Sequence, residues 1–190
     1  MANNNIMEKI LITGTGRCGT TFLIKLFTFL DFDTGFSKQD YSKYIDEQCN
    51  SGMEYQYTSE HYILKNPVFI LNIHHIIQDK NVSIKQVIIP IRDYTLSAKS
   101  RVKYNNNSGG LWNAKDQKTQ EIFYNTIISN YTYFMTKYDI NTLFIDFDRM
   151  VSDKLYLYNK LEHILSEKNI NYNSFCIIYD EVSKTCIKSI

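Results

Sequence analysis

Residues 9–30 restrict the fold of this chain more than any other segment, because an apolar run there passes through a glycine-punctuated loop straight into a helical pattern. Lys9–Thr13 (KILIT) has the length and branched apolar content of a buried strand. From Thr20 to Leu30 the apolar residues Phe22, Leu23, Leu26, Phe27 and Leu30 recur at the spacing of one helical face. A strand feeding directly into an amphipathic helix is the first half of a βαβ unit, and such units build parallel sheets covered on both faces.

The rest of the chain keeps up the alternation. Tyr62–Lys65 reads as a short strand and Val68 to Gln78 as a helix. Lys85–Arg92 (KQVIIPIR) is the clearest buried strand, with Pro90 placing a strand end or a bulge there. Tyr94 to Tyr104 reads as a helix, Asn105–Gly110 (NNNSGG) as a loop, and Asp116 to Lys137 as a long helix. Thr142–Asp146 (TLFID) is a further strand. Ser152 and Asp153 are caps for a helix running to about Lys168, and a last helix covers Phe175 to Lys184. No repeat and no linker interrupts the 190 residues, so a single domain over 1–190 is expected. Its fold class is α/β: three layers, α/β/α, around a parallel sheet of about four or five strands.

The loop itself carries chemistry. Gly14-x-x-x-x-Gly19-Thr20-Thr21 has the spacing of a phosphate-binding P-loop, with Thr20 where the usual Lys would stand. Gly14, Gly16 and Gly19 let backbone N–H groups turn inward around an anion. The helix that starts at Thr20 aims its positive end at the same place. Thr15, Thr20 and Thr21 carry hydroxyls, and Arg17 supplies the fixed positive charge that the missing Lys would give. Cys18 is a small filler rather than a nucleophile. A plain strand-to-helix turn would account for the glycines alone, but not for the Arg and the paired Thr between such a strand and such a helix.

A second anion site follows from position. Arg92 closes the strand Val87–Ile91, and Ser100 stands about two helical turns further on, so both can converge on one anion. The alternative is that Arg92 pairs with Asp93 and Ser100 is merely exposed.

Bulk properties set limits. A hydrophobic content of 44% and a charged content of 22% are those of an ordinary globular chain. A net charge of +1 argues against general nucleic-acid binding. Cys18, Cys49, Cys176 and Cys186 form no CxxC pair and have no histidine at zinc spacing, so no metal is expected. The polar residues 1–9 are unlike a signal peptide, and nothing approaches the roughly 20 apolar residues of a membrane span. A reducing, cytoplasmic setting is the resulting expectation.

These motifs together resemble the sulfotransferase family. Gly16-Arg17-Cys18-Gly19-Thr20-Thr21-Phe22 is similar to that family's 5′-phosphosulfate loop, and Arg92-x7-Ser100 to its 3′-phosphate motif. Ile145–Val151 resembles a later strand exit, and Leu64-Lys65-Asn66-Pro67 the K-x-P segment of glycan sulfotransferases. The resemblance spans about residues 9 to 184. It implies a P-loop-like fold that takes 3′-phosphoadenosine 5′-phosphosulfate (PAPS) as co-substrate, releases 3′-phosphoadenosine 5′-phosphate (PAP) and needs no metal. By matched position, Arg17, Gly19, Thr20 and Thr21 would hold the 5′-phosphosulfate, and Arg92 and Ser100 the 3′-phosphate. Lys65 would face the transferring group.

The acceptor, a small molecule or a glycan with a hydroxyl or amine, needs a general base. Asp40 is favoured, then Glu60 or His61; Glu54 stands in the same segment. His74 and His75 read as structural. Trp112 is either an anchor or a stacking surface, and Tyr55, Tyr57 and Tyr62 either line the acceptor site or fill the core. Two other functions fit the sequence. One is a small-molecule or nucleotide kinase with Asp146 on magnesium. The other is a non-catalytic nucleotide- or glycan-binding module.

Overall fold

The computed structural model describes residues 6–46, 49–104 and 109–186. Strand β1 (Met7–Ile12) leads into helix α1 (Thr20–Phe29). A turn of 3-10 helix at Tyr41–Tyr44 and a small antiparallel hairpin of β2 (Ile45–Asp46) and β3 (Ser51–Gly52) follow. Next come β4 (Ile63–Lys65), α2 (Phe69–Gln78), β5 (Val82–Ile91), α3 (Tyr94–Tyr104), α4 (Gln117–Tyr138) and β6 (Thr142–Asp146). The chain closes with α5 (Phe147–Ser152), α6 (Lys154–Leu165) and α7 (Tyr172–Cys186). The protein is α/β: a four-stranded parallel sheet in the order β4-β1-β5-β6, flanked by helices on both faces.

The period of two along the strands builds the layers. Ile10, Ile12, Ile63, Ile88 and Ile145 point to one face, where α1, α6 and α7 cover them with Leu23, Phe27, Leu161, Phe175 and Val182. Leu11, Leu64, Val87 and Ile89 point to the other, under Ile70 and Ile73 of α2, Ala98 of α3 and Tyr124 and Tyr131 of α4. Every residue of α1 is buried, because α7 closes over the side that the sheet does not reach.

The expected strands and helices are present, with shifted ends. β5 starts earlier than Lys85, because its first residues pair with Met7–Lys9 before a register shift between Lys9 and Ile10. The irregularity therefore falls there rather than at Pro90. Pro90 has the parity of Ile88, whose carbonyl accepts from Thr13, so its missing N–H lies on the side where the ladder to β1 has ended. Ser152 is not a cap: it ends α5, a helix the sequence pattern did not reveal, and its hydroxyl donates to Asp148 O. Asp153 caps α6 by accepting from the Tyr156 N–H at 2.9 Å.

The connections fix where a ligand can sit. β1 passes through α1 to β4 on one side of it, and β4 passes through α2 to β5 on the other. The helices that follow the adjacent strands β1 and β5 lie on opposite faces of the sheet. Their departing chains diverge and open a crevice at the carboxyl ends of the strands, the place where open α/β sheets bind ligands.

Candidate functional site: a cationic cleft at the strand ends

A cleft of about 730 Å³ opens at that crevice. Its floor is the loop after β1, with Gly16, Arg17, Gly19, Thr20, Thr21 and Phe22 on its surface. Lys65 enters from β4, Arg92 from the end of β5 and Arg101 from α3; Cys49, Ser51 and Glu54 form one wall, and Gly109, Trp112 and Phe147 border the others.

The loop bends as its glycines allow. Gly16 and Gly19 have φ of 74° and 91°, and Arg17 between them is also left-handed at 58°. A side chain on Gly19 would collide with Met150 and Phe147 (2.4 and 3.0 Å from a built Cβ), so this helix entry is closed to other residues. Gly19 is the N-cap of α1 and offers no side-chain cap. The first amides of α1 therefore have no N-cap side chain and no intrahelical acceptor, and their residues Thr20, Thr21 and Phe22 border the cleft. Gly14, Thr15 and Cys18 lie underneath rather than on the surface. Burial pushes the Cys18 thiol up, which keeps it neutral and agrees with its reading as a filler.

The two anion motifs meet. The Arg17 Nε–H donates to Ser100 Oγ at 3.1 Å, and Arg92 Nη1 donates to the Arg17 carbonyl at 3.2 Å. The Arg17 guanidinium also lies 4.7 Å from the Tyr104 ring centroid and donates to Cys49 O, while that of Arg92 lies 4.7 Å from Phe147. Asp93 takes no part in this: it caps α3 by accepting from the Leu96 N–H at 2.8 Å. Among the described residues, neither Arg17 nor Arg92 has a carboxylate within ion-pair distance.

Lys65 is only 1% exposed and donates to Gly52 O at 2.9 Å and to Glu54 Oε1 at 2.7 Å. Burial pulls its pKa down and Glu54 opposes that. Glu54 is 41% exposed at the cleft wall. The other acids and the histidine proposed as bases lie elsewhere. Asp40 accepts from the Ser37 hydroxyl and amide at 2.8 and 3.2 Å, bonds that hold its carboxyl below the usual range, and it does not border the cleft. His61 is bound to Asp33 at 2.8 Å near the start of β4, and Glu60 is exposed beside it; neither borders the cleft.

Of the aromatic residues, Trp112 borders the cleft and Tyr55, Tyr57 and Tyr62 do not. Tyr55 rests against Phe36 and His61, and Tyr62 donates to Glu167. Trp112 is held by buried Gln120, which accepts from its N–H at 2.7 Å and donates to its carbonyl at 3.2 Å. In the loop ahead of it, residues 105–108 lie outside the described residues. His74 stacks on Phe134 at 4.6 Å, a packing role.

Two cleft residues escaped the sequence reading. The sequence pattern favours Asp40 over Glu54 as the base, and Arg101 belongs to no motif. Among the described residues no cluster of three or more His, Cys, Asp or Glu could hold a metal, and no helix is long and apolar enough to cross a membrane. No family model, curated protein or solved structure matches this chain.

Proposed function

We propose that the protein is a sulfotransferase with a P-loop-like fold, moving a sulfuryl group from PAPS to a hydroxyl or amine of a small-molecule or glycan acceptor. The observation that carries this reading is the contact of Arg17 with Ser100 and of Arg92 with the Arg17 carbonyl. It joins the loop after β1 and the exit of β5 into one site suited to a ligand with two separate phosphate groups. The 5′-phosphosulfate belongs on Arg17, Thr20, Thr21 and the open amides of α1, and the 3′-phosphate on Arg92 and Ser100.

Transfer is in line: an acceptor oxygen or nitrogen bonds to sulfur as the bond from sulfur to the bridging phosphate oxygen breaks, and PAP departs. Lys65 and Arg17 neutralise the charge that grows on the bridging oxygen. Glu54, beside Lys65 at the cleft wall, takes the acceptor's proton in place of Asp40, Glu60 or His61. What weighs against the kinase alternative is that Asp146 does not border the cleft and that its carboxylate accepts from the Arg149 N–H at 2.8 Å as the cap of α5.

The test is turnover of sulfur-labelled PAPS with a panel of sugar, phenol and amine acceptors. Label should move to an acceptor without added metal. Binding of intact PAPS with neither PAP nor a labelled product formed from any acceptor class would point to a binding module instead.

A further inference from the structure

Arg101 belongs to no motif, yet it is the most buried of the cleft's guanidiniums, 7% exposed. One terminal nitrogen donates to Gly110 O and the other to Thr15 O at 3.2 Å. The guanidinium lies 5.2 Å from the centroid of Trp112 and presses so closely on the phosphate loop that a Cβ on Gly16 would sit 2.1 Å from it. Its Nε is buried without a partner at hydrogen-bond geometry, as is that of Arg92, and the neutral Tyr124 phenol beside it supplies no counter-charge. Among the described residues no carboxylate pairs with Arg101. A cation taken out of water without a counter-charge is destabilising, and buried charges are normally paired. Carbonyl partners alone do not neutralise it.

We propose that Arg101 is a third anion-binding residue of the cleft, and that its counter-charge is the bound ligand. The guanidinium ties Thr15 of the phosphate loop to Gly110, one residue before the start of the Leu111–Trp112 wall. An anion on its remaining N–H groups closes that tie. The ligand class that fits Arg17, Arg92 and Arg101 together is an organic molecule with phosphate or sulfate groups at two points, not a single small anion. This inference rests on the cleft being the donor site, and it names a residue that the motifs of that site do not contain.

The experiment is calorimetric titration of the full chain with PAP and, separately, with inorganic pyrophosphate, for wild type, Arg101→Met and Arg101→Lys, with melting temperatures taken without ligand. Arg101→Met should weaken both ligands about 10- to 100-fold, the range for one hydrogen bond to a charged group. Its ligand-free melting temperature should change little, because removing a buried cation that has no counter-charge offsets the lost bonds to Thr15 and Gly110. Arg101→Lys should fall between the two, since one ammonium cannot serve Thr15, Gly110 and an anion at once. Affinity within about twofold of wild type in the Met variant overturns the proposal, as does a loss of affinity that only tracks a loss of melting temperature. Should the Met variant not fold, the Lys variant decides, and unchanged affinity there overturns the proposal. Wild type that binds pyrophosphate through Arg101 but not PAP keeps Arg101 as an anion-binding residue but overturns the two-point organic ligand and the sulfotransferase reading; binding of neither removes both proposals.

Discussion

At the amino-terminal end of the strands, Lys85 sits between Glu8 and Glu167 at 3.5 and 3.1 Å, and His61 meets Asp33 at 2.8 Å. At the carboxyl-terminal end, Arg17, Arg92 and Arg101 face a cleft, and none has an acid within reach among the described residues. The chain as a whole is nearly neutral, with a net charge of +1. The contrast is one of placement rather than composition. Even buried Lys9 at the first end, held by the Ser59 and His61 carbonyls, has Asp33 and Glu60 as nearby counter-charges, whereas the three guanidiniums at the crevice between β1 and β5 have no acid within ion-pair distance among the described residues.

The largest expected effect tests the one cleft cation that does have an acid. Glu54→Gln should lower turnover about 100- to 10,000-fold, the usual contribution of a general base, with PAP affinity close to wild type. Steady-state rates and calorimetry on the same samples check this. Equal turnover would pass the role of base to Asp148, the other acid that borders the cleft, and make the Glu54–Lys65 pair purely structural.

Arg92→Ala comes next. Loss of a charge-assisted contact should weaken PAP about 10- to 100-fold while leaving adenosine 5′-phosphosulfate, which lacks the 3′-phosphate, almost unaffected. Competition binding with the two nucleotides reads the difference. An equal loss for both would place Arg92 on the 5′ side and undo its assignment with Ser100.

The difference between legible and illegible parts of the site has a physical basis. Gly14, Gly16, Arg17, Gly19, Thr20, Thr21, Arg92 and Ser100 could be read because a turn, a helix start and a strand end are local events with local spacing. Glu54 could not be singled out: it follows a hairpin whose strands have two residues each, too short for any period. Asp40 looked equally suitable, but its carboxylate is already engaged by Ser37 in a local turn. Arg101 was hidden for another reason. α3 (YTLSAKSRVKY) has no apolar stripe to mark a buried face, so only the fold reveals that this Arg turns inward while Lys99 and Lys103 stay exposed. The layers themselves were readable from alternation, whereas α5 was not, being six residues long and continuous with a strand.

A smaller effect concerns the neutral ground beneath the loop. Burial raises the Cys18 thiol above its ordinary value and pushes the phenols of Tyr124 and Tyr179 up to about 12. Through these groups the folded chain holds protons that the unfolded chain has already lost, so their contribution to stability falls as pH rises past about 9. In denaturant titrations from pH 8 to 10 the effect is read as the difference between wild type and Cys18→Ser, at most about 1.4 kcal/mol per pH unit, because the depressed Lys9 and Lys65 contribute a slope of the opposite sign. No difference between the two proteins would mean that the thiol is ionised under the loop.

The smallest effect belongs to the opposite end of the sheet. Lys85 is held by Tyr62 and Glu167, which raise its pKa, but the group is well solvated and such pairs contribute less than about 1 kcal/mol. Lys85→Met should shift the melting temperature by no more than about 3 °C and leave PAP binding unchanged. A drop in PAP affinity would erase the contrast between the two ends.

The most direct measurement is calorimetric binding of PAP to wild type and Arg17→Ala in metal-free buffer, set against ATP with magnesium. The expected result is tight binding of PAP without metal, weakened about 100-fold or more by Arg17→Ala, and little binding of ATP with magnesium. Binding of ATP with magnesium and none of PAP, or PAP binding that ignores Arg17, would contradict it.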